Sequence, residues 1–90
     1  MRNIDTDDRT KKFIRKLPSK HARQIIRKIE TLAENPYPPD SLSLKGYPAL
    51  RVDSGEYRII YQVTDTWIFV LIVGKRNDSE VYKELRKRFG

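Results

Sequence analysis

Residues 50–63 read LRVDSGEYRIIYQV, and the way this stretch pairs with itself decides the fold. Leu50-Arg51-Val52 alternates apolar with charged, as a half-buried strand does. Glu56-Tyr57-Arg58-Ile59 repeats the pattern and sets Arg58 on the face opposite Tyr57, Ile59, Tyr61 and Val63. With Ser54-Gly55 as a two-residue hairpin loop, Asp53 faces Glu56 and Arg51 faces Arg58. Like charges directly opposed on one sheet face are destabilising. The expected pairing therefore breaks a local rule, and a local rule broken without visible compensation is a mark of a functional site.

Downstream, WIFVLIVG (67–74) is apolar at both parities, as in a central strand covered on both faces. Thr64-Asp65-Thr66 supplies the turn before it. Upstream, NPYPPDSLSLKGYP (35–48) carries four prolines and a glycine and reads as a loop, tethered by Leu42 and Leu44. Before the loop, Ala22, Ile25, Ile26, Ile29, Leu32 and Ala33 follow helical spacing on one stripe, and Asn35-Pro36 stops the helix. An earlier helix runs through DRTKKFIRKL, capped by Asp7 or Asp8, with Phe13, Ile14 and Leu17 on one face. Pro18 breaks it and Ser19 offers the next cap. RNIDT at the start is a strand candidate carried by Ile4. A final helix begins near Asp78-Ser79 and carries EVYKELRKRF, with Val81 and Leu85 one turn apart.

The resulting order is β-α-α-β-β-β-α. We expect an α+β class domain spanning residues 1–90, with a mainly antiparallel sheet and two N-terminal helices packed on one face. The other face is then partly open. Arg51 and Arg58 lie on it by parity, with Ile60 and Gln62. Arg76 leans the same way from the end of the central strand, and Tyr82, in the first turn of the last helix, covers that region.

Composition limits the chemistry. The chain has 90 residues, enough for one core, and 19 basic against 12 acidic residues give a net charge of +7. That balance favours a polyanionic partner such as nucleic acid, or an acidic protein. There is no cysteine, and His21 is the only histidine, so neither thiolate metal sites nor a histidine pair is available. No apolar run approaches the roughly 20 residues of a membrane span. The first residues lack the apolar core of a secretory signal, so the expected setting is cytoplasmic.

Most polar features have an ordinary reading. Arg23, Arg27 and Lys28 form a solvated helix face. His21 suits a surface or capping role, Tyr37 and Tyr47 suit loop packing, and Trp67 suits the edge of the core. Arg51, Arg58, Arg76 and Tyr82 are different. Pairing with Asp53, Glu56 or Asp78 would make them structural, but no carboxylate is evident on their face. Guanidinium forks match phosphate oxygens, and a tyrosine stacks on an extruded base. No carboxylate cluster is apparent to hold two metal ions. RNA can still be cut, because its 2′-hydroxyl is a built-in nucleophile that needs only alignment and charge stabilisation. Arginine supplies the stabilisation and cannot act as a base. A phenol serves as one near neutral pH only where positive charge favours its ionised form.

The motifs GEYRIIYQV, IVGKRNDSEVYKEL and LSLKGYPALRV, with the helix end at Asn35-Pro36, resemble the RelE toxins of the RelE/ParE toxin–antitoxin superfamily. The resemblance runs from FIRKLP to the last helix, and YRIIYQV and GKRxxSEVY are its specific parts. It implies a RelE-like fold and a ribosome-dependent, metal-independent mRNA endoribonuclease acting in the ribosomal A site, without a cofactor. The implied partners are the ribosome, mRNA and a cognate antitoxin, the last in a hetero-oligomer. It further implies that Arg58 and Arg76 stabilise the reacting phosphate and that Tyr82 stacks or transfers a proton. Arg51 falls where the family has one of two lysines, while the position of the other holds Ala49. Lys45 and Lys75 match basic positions that contact RNA or the ribosome. Two other readings stay open: a ParE-like inhibitor of DNA gyrase, and a homologue that binds antitoxin without catalysis.

Overall fold

In a computed structural model of the chain, the hairpin forms between β3 (Leu50–Ser54) and β4 (Tyr57–Val63). The structure describes residues 1–77 and 79–90. The register departs from expectation by two residues: Asp53 faces Arg58, Arg51 faces Ile60, and the loop is Gly55-Glu56. Gly55 has φ 59° and among the described residues no other type of residue has positive φ, which is the II′ pattern of a glycine first in a two-residue loop. Reading Ser54-Gly55 as the loop put the glycine second. A slip of two residues keeps every side chain on its face but changes its neighbour across the ladder. The opposed arginine pair is therefore replaced by an arginine opposite an aspartate.

β4 lies between β3 and β5 (Trp67–Lys75), antiparallel to both. β1 (Asn3–Thr6) pairs parallel with the outer side of β5, and a two-residue β2 (Leu42–Ser43) pairs with β3. The sheet order is β1-β5-β4-β3-β2. β2 was not expected: prolines and glycine exclude a long element from that loop, not a two-residue bridge. The Leu42 side chain is exposed and holds the loop only through backbone pairing with Arg51, whereas Leu44 packs against the core.

Two helices, α1 (Asp8–Arg15) and α2 (Ser19–Glu34), cover one face. Ile14, Ile25, Ile29 and Leu32 meet Val52, Tyr57, Ile59, Tyr61, Ile68, Val70 and Val73 there. Ile26, expected in that stripe, lies at its margin and is 47% exposed. Asp7 caps α1 by accepting the Arg9 N–H at 3.0 Å. The cap position of α2 is Pro18, not Ser19, with no side-chain bond. His21 is half-buried rather than fully at the surface: its Nδ1 lies 3.2 Å from the Tyr57 hydroxyl, against the core.

The double-parity apolarity of β5 has a local cause. Ile60 pairs with Ile72 but Tyr61 pairs with Val70, so Leu71 is an extra residue in β5. Such a bulge shifts the alternation by one. Ile68, Val70 and Val73 therefore share one face, and Leu71 and Ile72 serve the other. The carbonyl of Leu71 accepts a hydrogen bond from the buried Thr10 hydroxyl at 3.0 Å, which ties α1 to the bulge.

The second face is less open than expected, because α3 (Glu80–Phe89) lies across it. Val81 and Leu85 are buried with Ala49, Ile60 and Ile72, and Tyr47 and Tyr82 flank them. Ser79 occupies the cap position of α3 without a side-chain bond. The expected contribution of Asp78 to that start, or to pairing an arginine, lies outside the described residues.

Candidate functional site

The turn end of the β3–β4 hairpin, the C-terminal end of β5 and the first turn of α3 converge on one polar cluster. Arg51 and Arg58 share the face under α3, as parity required. Each donates from Nη1 to the Tyr82 hydroxyl, Arg51 at 2.9 Å and Arg58 at 2.7 Å. The Arg58 guanidinium also sits 6.0 Å from the centroid of the Tyr82 ring. On its other edge Arg58 donates through Nε to Asp53 Oδ1 at 2.8 Å and through Nη2 to Oδ2 at 3.3 Å.

Asp53 corrects the expectation that this face lacks a carboxylate. It stands two residues from Arg51 on the same strand, so alternation alone would have placed it there; the wrong register assigned it to Glu56 instead. The Arg58 hydrogen bond holds the Asp53 carboxyl below the usual aspartate range, against an opposing push from burial. Charges on Arg51 and Arg76 act in the same direction. Arg58 is in turn held even more firmly protonated, first by its hydrogen bond to Asp53. Its side chain is only 15% exposed, so it is the fixed member of the cluster.

Arg76 is exposed, one residue beyond β5. Its backbone N–H bonds the Glu56 carbonyl at 2.9 Å, which fixes the strand end against the hairpin loop. Its guanidinium makes no hydrogen bond or ion pair among the described residues. Lys45 and Lys75 are not gathered into the cluster. Lys45 is exposed in the loop, and Lys75 pairs with Tyr57, on the face of α1 and α2. Ala49, the position at which the resemblance would place a second lysine, is 5% exposed beneath α3. A cation there would be taken out of water, which is costly without a partner.

The arrangement limits what each group offers. The phenol oxygen of Tyr82 already accepts twice, so what remains is its O–H as a donor. Arg58 keeps one N–H on Nη1 and one on Nη2, and among the described residues none accepts from the five N–H groups of Arg76. Among the described residues no three imidazoles or carboxylates converge. The cluster offers cationic donors and one hydroxyl proton, suited to an oxyanion such as phosphate.

Fold and cluster together define a small basic α+β domain with an arginine–tyrosine cluster built on three strand ends and a helix start. The sequence from residue 5 to 80 matches the family described as the ParE toxin of the type II toxin–antitoxin system parDE. The chain is 39% identical over 90 residues to the mRNA interferase toxin RelE of Escherichia coli, covering 94% of each. A free-state arginine-to-alanine double mutant of that toxin superposes with a TM-score of 0.77 at 36% identity, covering 99% of this chain and 98% of the other. The toxin in the intact RelBE toxin–antitoxin complex superposes with a TM-score of 0.72 at 32% identity, over 83% of this chain and 96% of the other. The chain belongs to the RelE/ParE family of type II toxin–antitoxin toxins.

Proposed function

We propose that this chain is the toxin of a type II toxin–antitoxin pair and an mRNA endoribonuclease that acts on the ribosome without a metal ion. The observation that carries the reading is the Tyr82 hydroxyl held between Arg51 and Arg58. In the reaction, the 2′-oxygen of one nucleotide bonds to the adjacent phosphorus as the bond to the 5′-oxygen breaks. Negative charge builds on the phosphoryl oxygens, where Arg58 and Arg76 provide donors and Arg51 orients the phosphate. Tyr82 donates its proton to the departing 5′-oxygen and stacks on the base. The cluster's single carboxylate is engaged by Arg58, so the 2′-hydroxyl proton passes to solvent. Products carry a 2′,3′-cyclic or 3′-phosphate and a 5′-hydroxyl.

Lys45 and Lys75, outside the cluster, contact RNA or the ribosome, as does the general positive charge. The setting is the cytoplasm, where ribosomes are. The antitoxin is an acidic, partly disordered protein that wraps the +7 domain and orders as it binds. The test is translation in vitro with mapped mRNA ends, comparing wild type with Arg76→Ala and Tyr82→Phe. Cleavage in the ribosomal A site, reduced in both variants, supports the reading. Intact mRNA together with loss of gyrase supercoiling would overturn it in favour of the ParE-type activity.

A further inference from the structure

Gly74 is a glycine inside a strand, where the residue weakens the element and calls for a reason. Conformation is not that reason: Gly46 and Gly55 have positive φ, of 86° and 59°, and Gly74 does not. Space is. A Cβ at Gly74 would stand 2.6 Å from Cγ2 of Val81, far inside van der Waals contact, and 4.0 Å from its Cβ. Among the described residues, its two chain neighbours aside, no other side chain would come within 4 Å, and Arg58, directly across the ladder, would be untouched. The missing side chain thus serves one contact, the approach of the first turn of α3 to the sheet.

Val81 is 2% exposed and precedes Tyr82. Their turn is stiff, since the N–H groups of Tyr82 and Lys83 both bond the Ser79 carbonyl at 3.1 Å. Where Val81 goes, Tyr82 follows. We infer that Gly74 is a positioning residue for the anion site: it sets the height of α3 above β5, and that height keeps the Tyr82 hydroxyl within reach of both guanidiniums. An alanine at 74 lifts the turn by about an ångström, enough to break bonds of 2.7 and 2.9 Å and to cost roughly 100-fold in a reaction that depends on placement.

The contact also supplies its own rescue. Truncating Val81 to alanine removes the clashing methyl and leaves two Cβ atoms at an ordinary 4.0 Å. The experiment compares wild type, Gly74→Ala and Gly74→Ala/Val81→Ala by crystal structure and by single-turnover mRNA cleavage on programmed ribosomes. In Gly74→Ala the distances from Tyr82 to the arginines should exceed hydrogen-bonding range, with cleavage down roughly 100-fold and ribosome affinity unchanged. The double variant should regain both hydrogen bonds and cleave to within about threefold of wild type, a small loss for a repacked contact. Should Gly74→Ala not fold, the double variant must still fold and cleave. An unchanged Tyr82 in Gly74→Ala overturns the inference, as does a double variant that stays as impaired as the single one. The inference rests on the proposed nuclease only for its kinetic arm. If wild type cleaves nothing, that proposal fails and the crystal structures alone decide this one.

Discussion

The two faces of the sheet are built to different rules, and neighbouring residues of β4 show it. Tyr57, Ile59 and Tyr61 all point under α1 and α2 into an apolar layer. Arg58, Ile60 and Gln62 point the other way, and only Ile60 is buried beneath α3. The first face holds the fold together. The second divides its area between an apolar patch that seats α3 and the arginine cluster that α3 partly covers. The apolar layer and the proposed site are thus separated by one peptide unit, and changing residues on either side of it should separate stability from cleavage in experiment.

The largest effect belongs to the polar side. Arg58→Ala removes the best-fixed cation of the cluster and should lower mRNA cleavage by about 10³-fold, or about 4 kcal/mol in the barrier. Stability should change by less than about 1 kcal/mol, because the Asp53 left behind keeps water and other arginines nearby. Single-turnover cleavage and urea denaturation measure the two quantities. A variant that unfolds while the residual folded fraction cleaves normally would erase the division between faces.

One residue on, Ile59→Ala should do the opposite. Ile59 is fully buried in the larger core, and truncation there should cost about 3 kcal/mol in urea denaturation. Cleavage per folded molecule should remain within about twofold of wild type, as expected for a core change with no contact to the reacting groups.

Tyr82→Phe tests the middle ground, since the ring stays and only the oxygen shared by two guanidiniums is lost. A hydrogen bond to a charged group contributes about 1.5–3 kcal/mol, so cleavage should fall by about 10- to 100-fold with fold and ribosome binding intact. A loss no greater than twofold would reduce Tyr82 to a stacking surface.

The sequence made the two faces legible because alternation depends only on parity, and parity survives an error of two in register. It therefore put Arg51 and Arg58 together and the helices opposite them, while misplacing their partners. Asp53 was hidden by that error: which of Ser54 or Gly55 opens the loop depends on a single positive φ, and one glycine cannot say where in the turn it sits. The bulge at Leu71 was equally invisible, although its consequence, a strand apolar at both parities, was plain. Arg76 and Tyr82 were placed beside Arg51 and Arg58 from the end of the central strand and the first turn of the last helix, and the GKRxxSEVY resemblance added the roles it implies for them. Lys45 and Lys75 fall outside the cluster because one sits in the loop and the other shares the parity of Tyr57.

The smallest test concerns how α3 is held. Its N-terminal half is seated by Val81 and Leu85, and its last turn is pinned by Arg88 donating to Asp7 Oδ2 at 2.9 Å. The pin joins the C-terminal turn of α3 to the N-cap of α1, and both charges suit the helix ends they occupy. The Arg88 hydrogen bond holds the Asp7 carboxyl below its ordinary range, partly offset by burial and aided by the Arg9 N–H. A depressed carboxylate stabilises the fold above the unfolded value of about 3.9, and the contribution disappears as pH falls through the lower, folded value. Asp7→Asn keeps a competent cap and removes only the charge. With the two side chains 26% and 34% exposed, water weakens the pair, so the variant should lose about 0.5–1 kcal/mol at pH 7. That deficit should shrink towards zero in acid, as wild-type Asp7 takes up its proton. Urea midpoints at pH 7, 4 and 2.5 follow the convergence, and a deficit that persists unchanged at pH 2.5 would assign the loss to cap geometry rather than to Arg88. Cleavage by Asp7→Asn should stay near wild type, because the pin lies at the end of α3 away from Tyr82; a larger kinetic loss would mean that α3 moves as one rigid lever and that both of its ends set the position of Tyr82 between the arginines.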